Sequence, residues 1–385
     1  MSPSTFASAG VSALLPLDTS PSLSSRERVR RFLHLSTYRS GLSSLYARLQ
    51  DEPVATILMY HSVPTLDEDR WIDPYNSLSA RAFEQQMQFL AQHRQVISME
   101  ALVQKLERRE PFERGTVAIT FDDGYRNNLT VAAPILAKYN LPATIYLATS
   151  YIDSGQNQWI DTLYAAFRAR SADALSLANW TLASWDADGR AAARQGGAFR
   201  DWDLSDSAQQ TEAYTELVMY LIEADLVQRE ALLLEIDYQL QPVAYPPRLT
   251  MNWTEAKALK DGYDNITLGV HTCNHLDLSK HSEKTAEEMS ASIAQMMRTL
   301  EITPKHFAFP YNRYCQHAQS QVEAAQLSSA VMATDDDPVV RSHTSPYALP
   351  RLEAPKSMAM LKSWTNGGFP DTSRRIFNQP WICPY

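Results

Sequence analysis

Two groups of side chains have the types and spacing needed to bind a metal ion and to activate water. His271 and His275 stand four residues apart in the segment HTCNH, and Asp122 and Asp123 are adjacent in TFDDG. Zinc and similar ions in enzymes take two or three imidazoles with a carboxylate and keep one position for water. The DDG segment would supply one carboxylate as a ligand and a second as a base. The sequence therefore predicts a catalytic metal site.

Each segment also has a plainer interpretation. A lone HxxxH pair is more often a surface or packed pair of histidines than a metal site, and DDG is a common strand-ending turn. Two imidazoles four apart face one ion when the backbone turns helically, since residues i and i+4 share a face. The metal interpretation is favoured because both segments follow strand-like runs.

The elements that must position these residues alternate between strand and helix. Short apolar runs rich in Val, Ile and Thr predict strands buried on both faces. These strands cover 54–63, 116–124, 142–149, 265–270, 306–311, 328–334 and 347–354. Helical patterns cover 80–93, 99–109, 128–139, 253–261, 282–301 and 316–327. Strands separated by helices form parallel sheets with right-handed crossovers, so we predict an α/β fold with a (β/α) barrel, complete or open at one side.

The alternation breaks in the middle of the chain, which predicts five segments. They are an N-terminal extension (1–52), the first half of the barrel (53–150), a mostly helical insertion (151–248), the second half of the barrel (249–360) and a C-terminal tail (361–385). At the carboxyl ends of the predicted strands stand His61, the two aspartates, the two histidines, Tyr311 and Arg351. Barrels of this kind carry their reactive residues on that face.

Composition narrows the function classes. The formal net charge of -9 argues against nucleic acid as the main partner, because no basic excess offsets phosphate repulsion. Three cysteines without a short CxxC spacing do not form a disulfide framework and are compatible with a reducing compartment. No apolar run approaches the roughly 18 residues that span a bilayer. The N-terminus is a poor signal peptide, and we therefore expect a cytoplasmic protein.

A basic segment within the N-terminal extension has two interpretations. Residues 25–49 contain six arginines against one glutamate, and apolar residues recur at roughly helical spacing. The favoured interpretation is one or two helices packed on the main domain. The alternative is an amphipathic segment resting on an anionic membrane, which would make the protein membrane-associated.

The ordered motifs TFDDG, HTCNH and FAFPY resemble those of the polysaccharide deacetylase (NodB-homology) family, carbohydrate esterase family 4. The resemblance covers about 53–150 and 249–355 and implies a distorted (β/α)7 barrel. It implies that Asp122 is the general base and that Asp123, His271 and His275 hold the metal. Tyr311 follows the motif's proline, which implies that its backbone N–H stabilises the oxyanion.

The chain also departs from the family pattern. Most members have an arginine two positions before that proline, where this chain has Ala308, and no Leu-x-His motif for the general acid occurs near the C-terminus. The segments ILMYHSV and ALPRL resemble the branch that includes poly-N-acetylglucosamine deacetylases, in which the early histidine is thought to serve as acid. This implies that His61 is the acid. Arg351 would supply the positive charge beside Asp122. The alternatives are a packed strand-end histidine and a structural arginine.

The resemblance predicts a hydrolase that removes N-acetyl groups from an amino-sugar-containing glycan, through metal-activated water, an Asp base and a His acid. The glycan would be a polysaccharide, an oligosaccharide or a lipid-linked precursor. The metal would be a divalent ion, zinc first, with cobalt or nickel as alternatives. Two other interpretations stay open: a deacylase of another small acyl group or a non-sugar amide, and a carbohydrate-binding protein without catalysis. The sequence does not specify an oligomeric state.

Overall fold

The computed structural model describes residues 52–180, 183–185, 191–193, 199–332 and 338–366. The chain divides into two compact units, one of which comprises Trp159–Pro247. Among the described residues, the other unit contains 52–158 and 248–366. The basic segment 25–49 and most of the predicted C-terminal tail lie outside the described residues.

Seven parallel strands of the larger unit form a closed ring. In chain order they are β1 (Ala55–Tyr60), β2 (Thr116–Phe121), β3 (Ala143–Leu147), β4 (Ile266–Val270), β5 (His306–Ala308), β6 (Ser329–Met332) and β7 (Leu349–Glu353). Around the ring the order is β1-β7-β6-β5-β4-β3-β2, and β2 pairs back to β1 in register from Ala55 opposite Thr116 to Tyr60 opposite Phe121. The predicted (β/α)7 barrel is confirmed, and it is complete rather than open.

The ring is distorted where a short strand that the sequence did not predict joins it. Residues Gln95–Val96 pair with Thr116 and Val117 at the beginning of β2, whereas β3 pairs with Thr120 and Phe121 at its end. Two neighbours thus share one edge of β2. The seven predicted strands are present with slightly shorter bounds, because the residues after each strand already belong to the turns that carry the candidate site.

Eight helices of the larger unit are named here. They are α1 (Ala80–His93), α2 (Met99–Glu107), α3 (Ala133–Lys138), α4 (Thr149–Ser154), α5 (Trp253–Gly262), α6 (Thr285–Leu300), α7 (Gln316–Ala324) and α8 (Met358–Trp364). The one-turn helix Leu66–Asp69, the 3₁₀ turns Ser282–Lys284 and Pro310–Asn312 and a π-helical turn at Asn128–Ala132 complete the set. Several helices begin at side chains that accept a backbone N–H, among them Ser79, Ser98 and Asn252, as expected of N-caps.

The ring of Tyr146 packs in the barrel interior beside several small residues. Tyr146 of β3 is fully buried together with Ala118 and Ala308. On the adjacent β4, a Cβ added to Gly269 would lie 2.5 Å from the Tyr146 ring and 2.9 Å from the His306 carbonyl oxygen. Small neighbours therefore leave the space that the tyrosine occupies, and the interior is a packed core rather than a pore.

The described part of the smaller unit contains three helices and four short strands. The helices are Trp159–Ala169, Ser207–Glu223 and Leu226–Leu240. The strands form two antiparallel pairs, Ala174–Ser176 with Asp201–Asp203 and Ala183–Trp185 with Ala191–Ala193, which the sequence did not predict. Although this unit lies between β3 and β4 in sequence, those strands pair directly from Ala143 opposite Ile266 to Leu147 opposite Val270. Within the described part of the chain, no helix has the length and apolarity needed to cross a bilayer.

Candidate active site

Three side chains from two strand ends come together at one mouth of the barrel. Asp123 follows β2, and His271 and His275 follow β4. One ligand atom from each residue lies within 4.8 Å of the other two, and all three residues are buried. The Oδ1 atom of Asp123 is 3.1 Å from Nε2 of His275 and 3.5 Å from Nε2 of His271. Two imidazole nitrogens and one carboxylate oxygen thus converge on one point, as the sequence predicted.

Left-handed backbone conformations, and not a helical turn, bring the three side chains together. Asp123 has φ 73°, and the following Gly124 has φ 77°. Thr272 and His275 have φ 63° and 52°. The expectation that the two histidines share one face of a helical turn is therefore wrong in mechanism: the chain bends through two left-handed residues instead, and the two Nε2 atoms lie 3.1 Å apart. Such residues are uncommon outside glycine and occur where the surroundings hold them.

Hydrogen bonds fix how each histidine presents its ring. Nδ1 of His271 is 2.9 Å from the carbonyl oxygen of Ala308, which can only accept, so this nitrogen donates and Nε2 carries the lone pair. The backbone N–H of His275 donates to the hydroxyl of Thr272 over 2.9 Å. The sequence analysis missed Thr272, although it stands inside the HTCNH motif.

The electrostatics of the site favour a bound cation. Burial by itself lowers the pKa of His271, but Asp122 and Asp123 outweigh it and raise that pKa. Burial raises the pKa of Asp123, but His275 and His271 reverse the effect and hold it well below the usual value. The Oδ1 atom of Asp123 is buried, and among the described residues no hydrogen bond with acceptable geometry reaches it. An ion would satisfy this oxygen, so the donor set suits a divalent metal.

A second carboxylate lies beside the ligand set, held by an arginine. Nη1 and Nη2 of Arg351 each donate to one carboxylate oxygen of Asp122 over 2.7 Å. Both side chains are buried. Burial raises the pKa of Asp122, but the Arg351 guanidinium and His271 reverse the effect, and the net pKa lies below its usual value. Asp122 is therefore an ionised carboxylate, 3.8 Å from Nε2 of His271.

Arg351 is oriented by further residues that were not predicted from the sequence. Asn312 accepts a hydrogen bond of 2.8 Å from Nη2, and Thr120 accepts one of 3.3 Å from Nη1. The guanidinium also stands over the ring of Tyr146, 5.8 Å from its centroid. Thr120 immediately precedes FDDG and Asn312 immediately follows FAFPY, so their positions in the motifs were the available signal.

His61 is half-buried at the end of β1. Its carbonyl oxygen accepts a 2.7 Å hydrogen bond from Nδ2 of Asn128, which fixes the backbone there. Burial lowers the pKa of His61, and the opposing effects of Asp123 and Asp122 do not restore it. The imidazole is therefore in the electrostatic field of both aspartates of the TFDDG segment.

Tyr311 packs directly on a ligand histidine. Its ring lies 4.5 Å from the His275 ring, centroid to centroid, at an angle of 80°. Its hydroxyl donates to the carbonyl oxygen of His275 over 3.2 Å. The residue has φ 56° within the turn Pro310–Asn312. All seven side chains that the sequence singled out therefore meet in one region, linked by direct contacts or, for His61, by charge.

Comparisons with known proteins find similarity to polysaccharide deacetylases. The family model described as polysaccharide deacetylase matches residues 109–184. The protein YxkH of Bacillus subtilis (strain 168), named as a polysaccharide deacetylase, is 31% identical over 107 residues, which are 27% of this chain. The matched part spans only 36% of the length of YxkH.

Two solved structures share the fold. The Streptococcus pyogenes deacetylase PplD, in complex with acetate, superposes with a TM-score of 0.52 at 17% identity, covering 83% of this chain and 100% of that one. IcaB from Ammonifex degensii superposes with a TM-score of 0.50 at 14% identity, covering 82% of this chain and 97% of that one. The chain is thus similar to polysaccharide deacetylases over part of its sequence, and its (β/α)7 fold is that of two deacetylase-sized solved chains covered almost completely.

Proposed function

We propose that this protein is a metal-dependent hydrolase that removes N-acetyl groups from an amino-sugar-containing glycan. The observation that carries the proposal is the pairing of two carboxylates with different surroundings. Asp123 lies among two imidazole nitrogens, within 4.8 Å of both. The adjacent Asp122 instead forms two hydrogen bonds with Arg351. Such a division separates a metal ligand from a base.

Asp123, His271 and His275 would hold the metal. When bound there, a divalent ion supplies a Lewis acid and lowers the pKa of water toward neutrality. The Nε2 lone pair of His271 is directed by the bond from Nδ1 to Ala308. The ligand types, two imidazoles and one carboxylate, favour zinc, with cobalt or nickel as alternatives.

Asp122 would accept the proton of the attacking water. Its carboxylate is ionised because Arg351 offsets the effect of burial on its pKa. The two hydrogen bonds fix the carboxylate plane, so the remaining lone pairs keep one orientation. An oriented general base typically contributes 10²–10⁴-fold to the rate.

His61 and Tyr311 would act on the leaving amine and on the acetyl oxygen. An amine leaves poorly unless it is protonated, and His61 is the candidate proton donor at the end of β1. The backbone N–H of Tyr311 would stabilise the negative charge that develops on the acetyl oxygen, an effect worth about 3 kcal/mol for one well-placed donor. The products are acetate and a free amine on the sugar.

The test compares two adjacent aspartate variants. Wild-type protein, Asp122→Asn and Asp123→Asn are assayed for acetate release from N-acetylglucosamine oligomers with added Zn²⁺ or Co²⁺, and their thermal stability is measured with and without metal. We expect Asp122→Asn to lose about 10²–10⁴-fold in kcat while keeping the metal-dependent rise in Tm. Asp123→Asn should lose both.

Other results would select a different function. Wild-type protein that binds the oligomers without releasing acetate would be a carbohydrate-binding protein. Release of formate from N-formyl substrates, with none from N-acetyl ones, would identify a deacylase of another acyl group. Loss of the metal-dependent stabilisation in Asp122→Asn but not in Asp123→Asn would contradict the assigned ligand set.

A further inference from the structure

A buried glutamate from a neighbouring helix binds the loop that carries both ligand histidines. Glu288 stands in the first turn of α6 and is 4% exposed. One oxygen of its carboxylate accepts from the backbone N–H groups of Cys273 and Asn274, over 3.0 Å and 2.7 Å. The other oxygen accepts from Nδ2 of Asn274 over 2.7 Å. Three donors between His271 and His275 thus converge on one side chain.

The opposite side of the same loop is bound by α4. The backbone N–H of Thr149 donates to the carbonyl oxygen of Thr272 over 3.2 Å, and that of Ser150 donates to the carbonyl oxygen of Cys273 over 2.9 Å. Two N–H groups of the loop 272–274 therefore donate to Glu288, and two of its carbonyl groups accept from α4. Both of its edges are fixed.

The loop requires such support because its backbone is strained. Thr272 and His275 are left-handed at φ 63° and 52°. Residues in such regions carry a conformational cost and persist only when the surroundings over-determine them. A carboxylate binding N–H donors forms hydrogen bonds roughly twice as strong as neutral ones, and the N-terminus of α6 favours its negative charge. Glu288 therefore offsets part of the strain.

We propose that Glu288 is a positioning residue for the metal site: it holds the HTCNH loop in the strained conformation that directs both imidazoles at one ion. Its three hydrogen bonds described above go to Cys273 and Asn274 and not to a histidine ring. Its effect passes through the backbone of Cys273 and Asn274. The inference rests on the proposed metal site, and its test has one readout that does not require metal.

The experiment measures Co²⁺ affinity by titration and amide hydrogen exchange of residues 272–275 in metal-free protein. Glu288→Ala removes all three acceptor contacts. Glu288→Asp keeps the charge but withdraws the carboxylate by about 1.5 Å, one C–C bond, which exceeds hydrogen-bonding reach. Glu288→Gln keeps one carbonyl oxygen for the two backbone donors. Glu287→Ala is the matched control, because it removes the same charge from an adjacent exposed position.

We expect Glu288→Ala and Glu288→Asp to lose about 10–100-fold in Co²⁺ affinity and to exchange faster at 272–275. Glu288→Gln should restore affinity to within about fivefold of wild type, the effect of roughly 1 kcal/mol. Glu287→Ala should match wild type in both readouts. If Glu288→Ala does not fold, the comparison of Asp with Gln at this position decides.

Wild-type Co²⁺ affinity and wild-type exchange in Glu288→Asp would overturn the inference, as would equal losses in Glu287→Ala. Wild-type protein that binds no metal would overturn the proposed function instead. In that case, faster exchange confined to 272–275 in the two disruptive variants would still show that Glu288 holds the loop.

Discussion

Arg351 and Asp122 form a buried, two-pronged ion pair across the barrel mouth. Each of two guanidinium nitrogens donates to a different carboxylate oxygen over 2.7 Å. The arginine comes from β7 and the aspartate follows β2, and β1, which pairs with both strands, lies between them. The arginine thus reaches Asp122 from β7, while the family's usual position near β5 is occupied by Ala308.

Replacing Arg351 should move the acid limb of the pH profile. Arg351 lowers the pKa of Asp122 against the effect of burial, so its loss raises that pKa. The proposed base works only when it is ionised. As the pH falls, kcat/KM of Arg351→Met should therefore begin to decline at a higher pH than kcat/KM of the wild type. We also expect a loss of about 3–5 kcal/mol in unfolding free energy from the unpaired buried carboxylate. Arg351→Lys keeps the charge but not the two-pronged geometry, so the acid limb of its pH profile should move less. An unchanged acid limb in Arg351→Met would refute the pairing's function.

His61→Asn should separate amide from ester substrates. Protonation of the leaving group matters for an amine and hardly at all for 4-nitrophenolate. We therefore expect kcat on N-acetylglucosamine oligomers to fall by about 10²–10⁴-fold, while 4-nitrophenyl acetate hydrolysis stays near wild type. His317→Asn, at an exposed position, is the control. Equal losses on both substrates would show that His61 supports the site structurally and does not donate a proton.

Two substitutions of Tyr311 should separate the contribution of its side chain from that of its backbone N–H. Tyr311→Phe removes the hydroxyl and with it the 3.2 Å hydrogen bond to the His275 carbonyl, and we expect a loss of about 1 kcal/mol in stability. Tyr311→Ala also removes the ring packed on His275 but leaves the N–H. We expect its KM to rise more than its kcat falls, as measured by steady-state kinetics with the oligomers. A loss of kcat at constant KM would place the side chain itself in the chemistry.

His306 should make the stability of the protein depend on pH. It is buried at the start of β5, near Ser329 and Glu100, and burial lowers its pKa from 6.5 to about 4. The unfolded chain binds the proton below about pH 6.5, whereas the folded protein excludes it until about pH 4. Stability is therefore present above that window and lost as pH falls through it, on the order of 3 kcal/mol at most. His306→Asn should show a flatter dependence in urea unfolding between pH 7 and 4. A slope equal to that of wild type would contradict this.

Gly269 should tolerate no side chain. A Cβ there would lie 2.5 Å from the Tyr146 ring and 2.9 Å from a backbone oxygen. We expect Gly269→Ala to lose about 1–3 kcal/mol in unfolding free energy. Gly262 is the control, because its Cβ would meet nothing within 4 Å at the end of α5, so Gly262→Ala should be neutral or slightly stabilising. Equal stability of the two variants would show that the barrel interior is more adaptable than its packing indicates.

The sequence predicted the seven strands because segments buried on both faces are recognisable as short apolar runs. It also singled out Asp123, His271 and His275, which the structure brings together, since their types and strand-end positions are local properties. The two-residue strand Gln95–Val96 is too short to give a periodic signal. Asn312 contacts Arg351, which is 39 residues away in the sequence, and Glu288 contacts a loop that is 14 or 15 residues away. No local sequence pattern indicates such contacts. The left-handed conformations of Thr272 and His275 could not be predicted either, because neither residue is a glycine.

The pairing of β3 with β4 has a consequence for how the chain can change. The backbone N–H of Leu249 donates to the Asn157 side chain over 2.6 Å, so the polypeptide departs from the barrel unit and returns to it at neighbouring points. Among the described residues of Trp159–Pro247, no strand pairs with a strand of the ring. A short linker could therefore replace the segment Trp159–Pro247. Mutations in this segment, or its exchange for another module, would leave unaltered the ring that positions Asp123, His271 and His275.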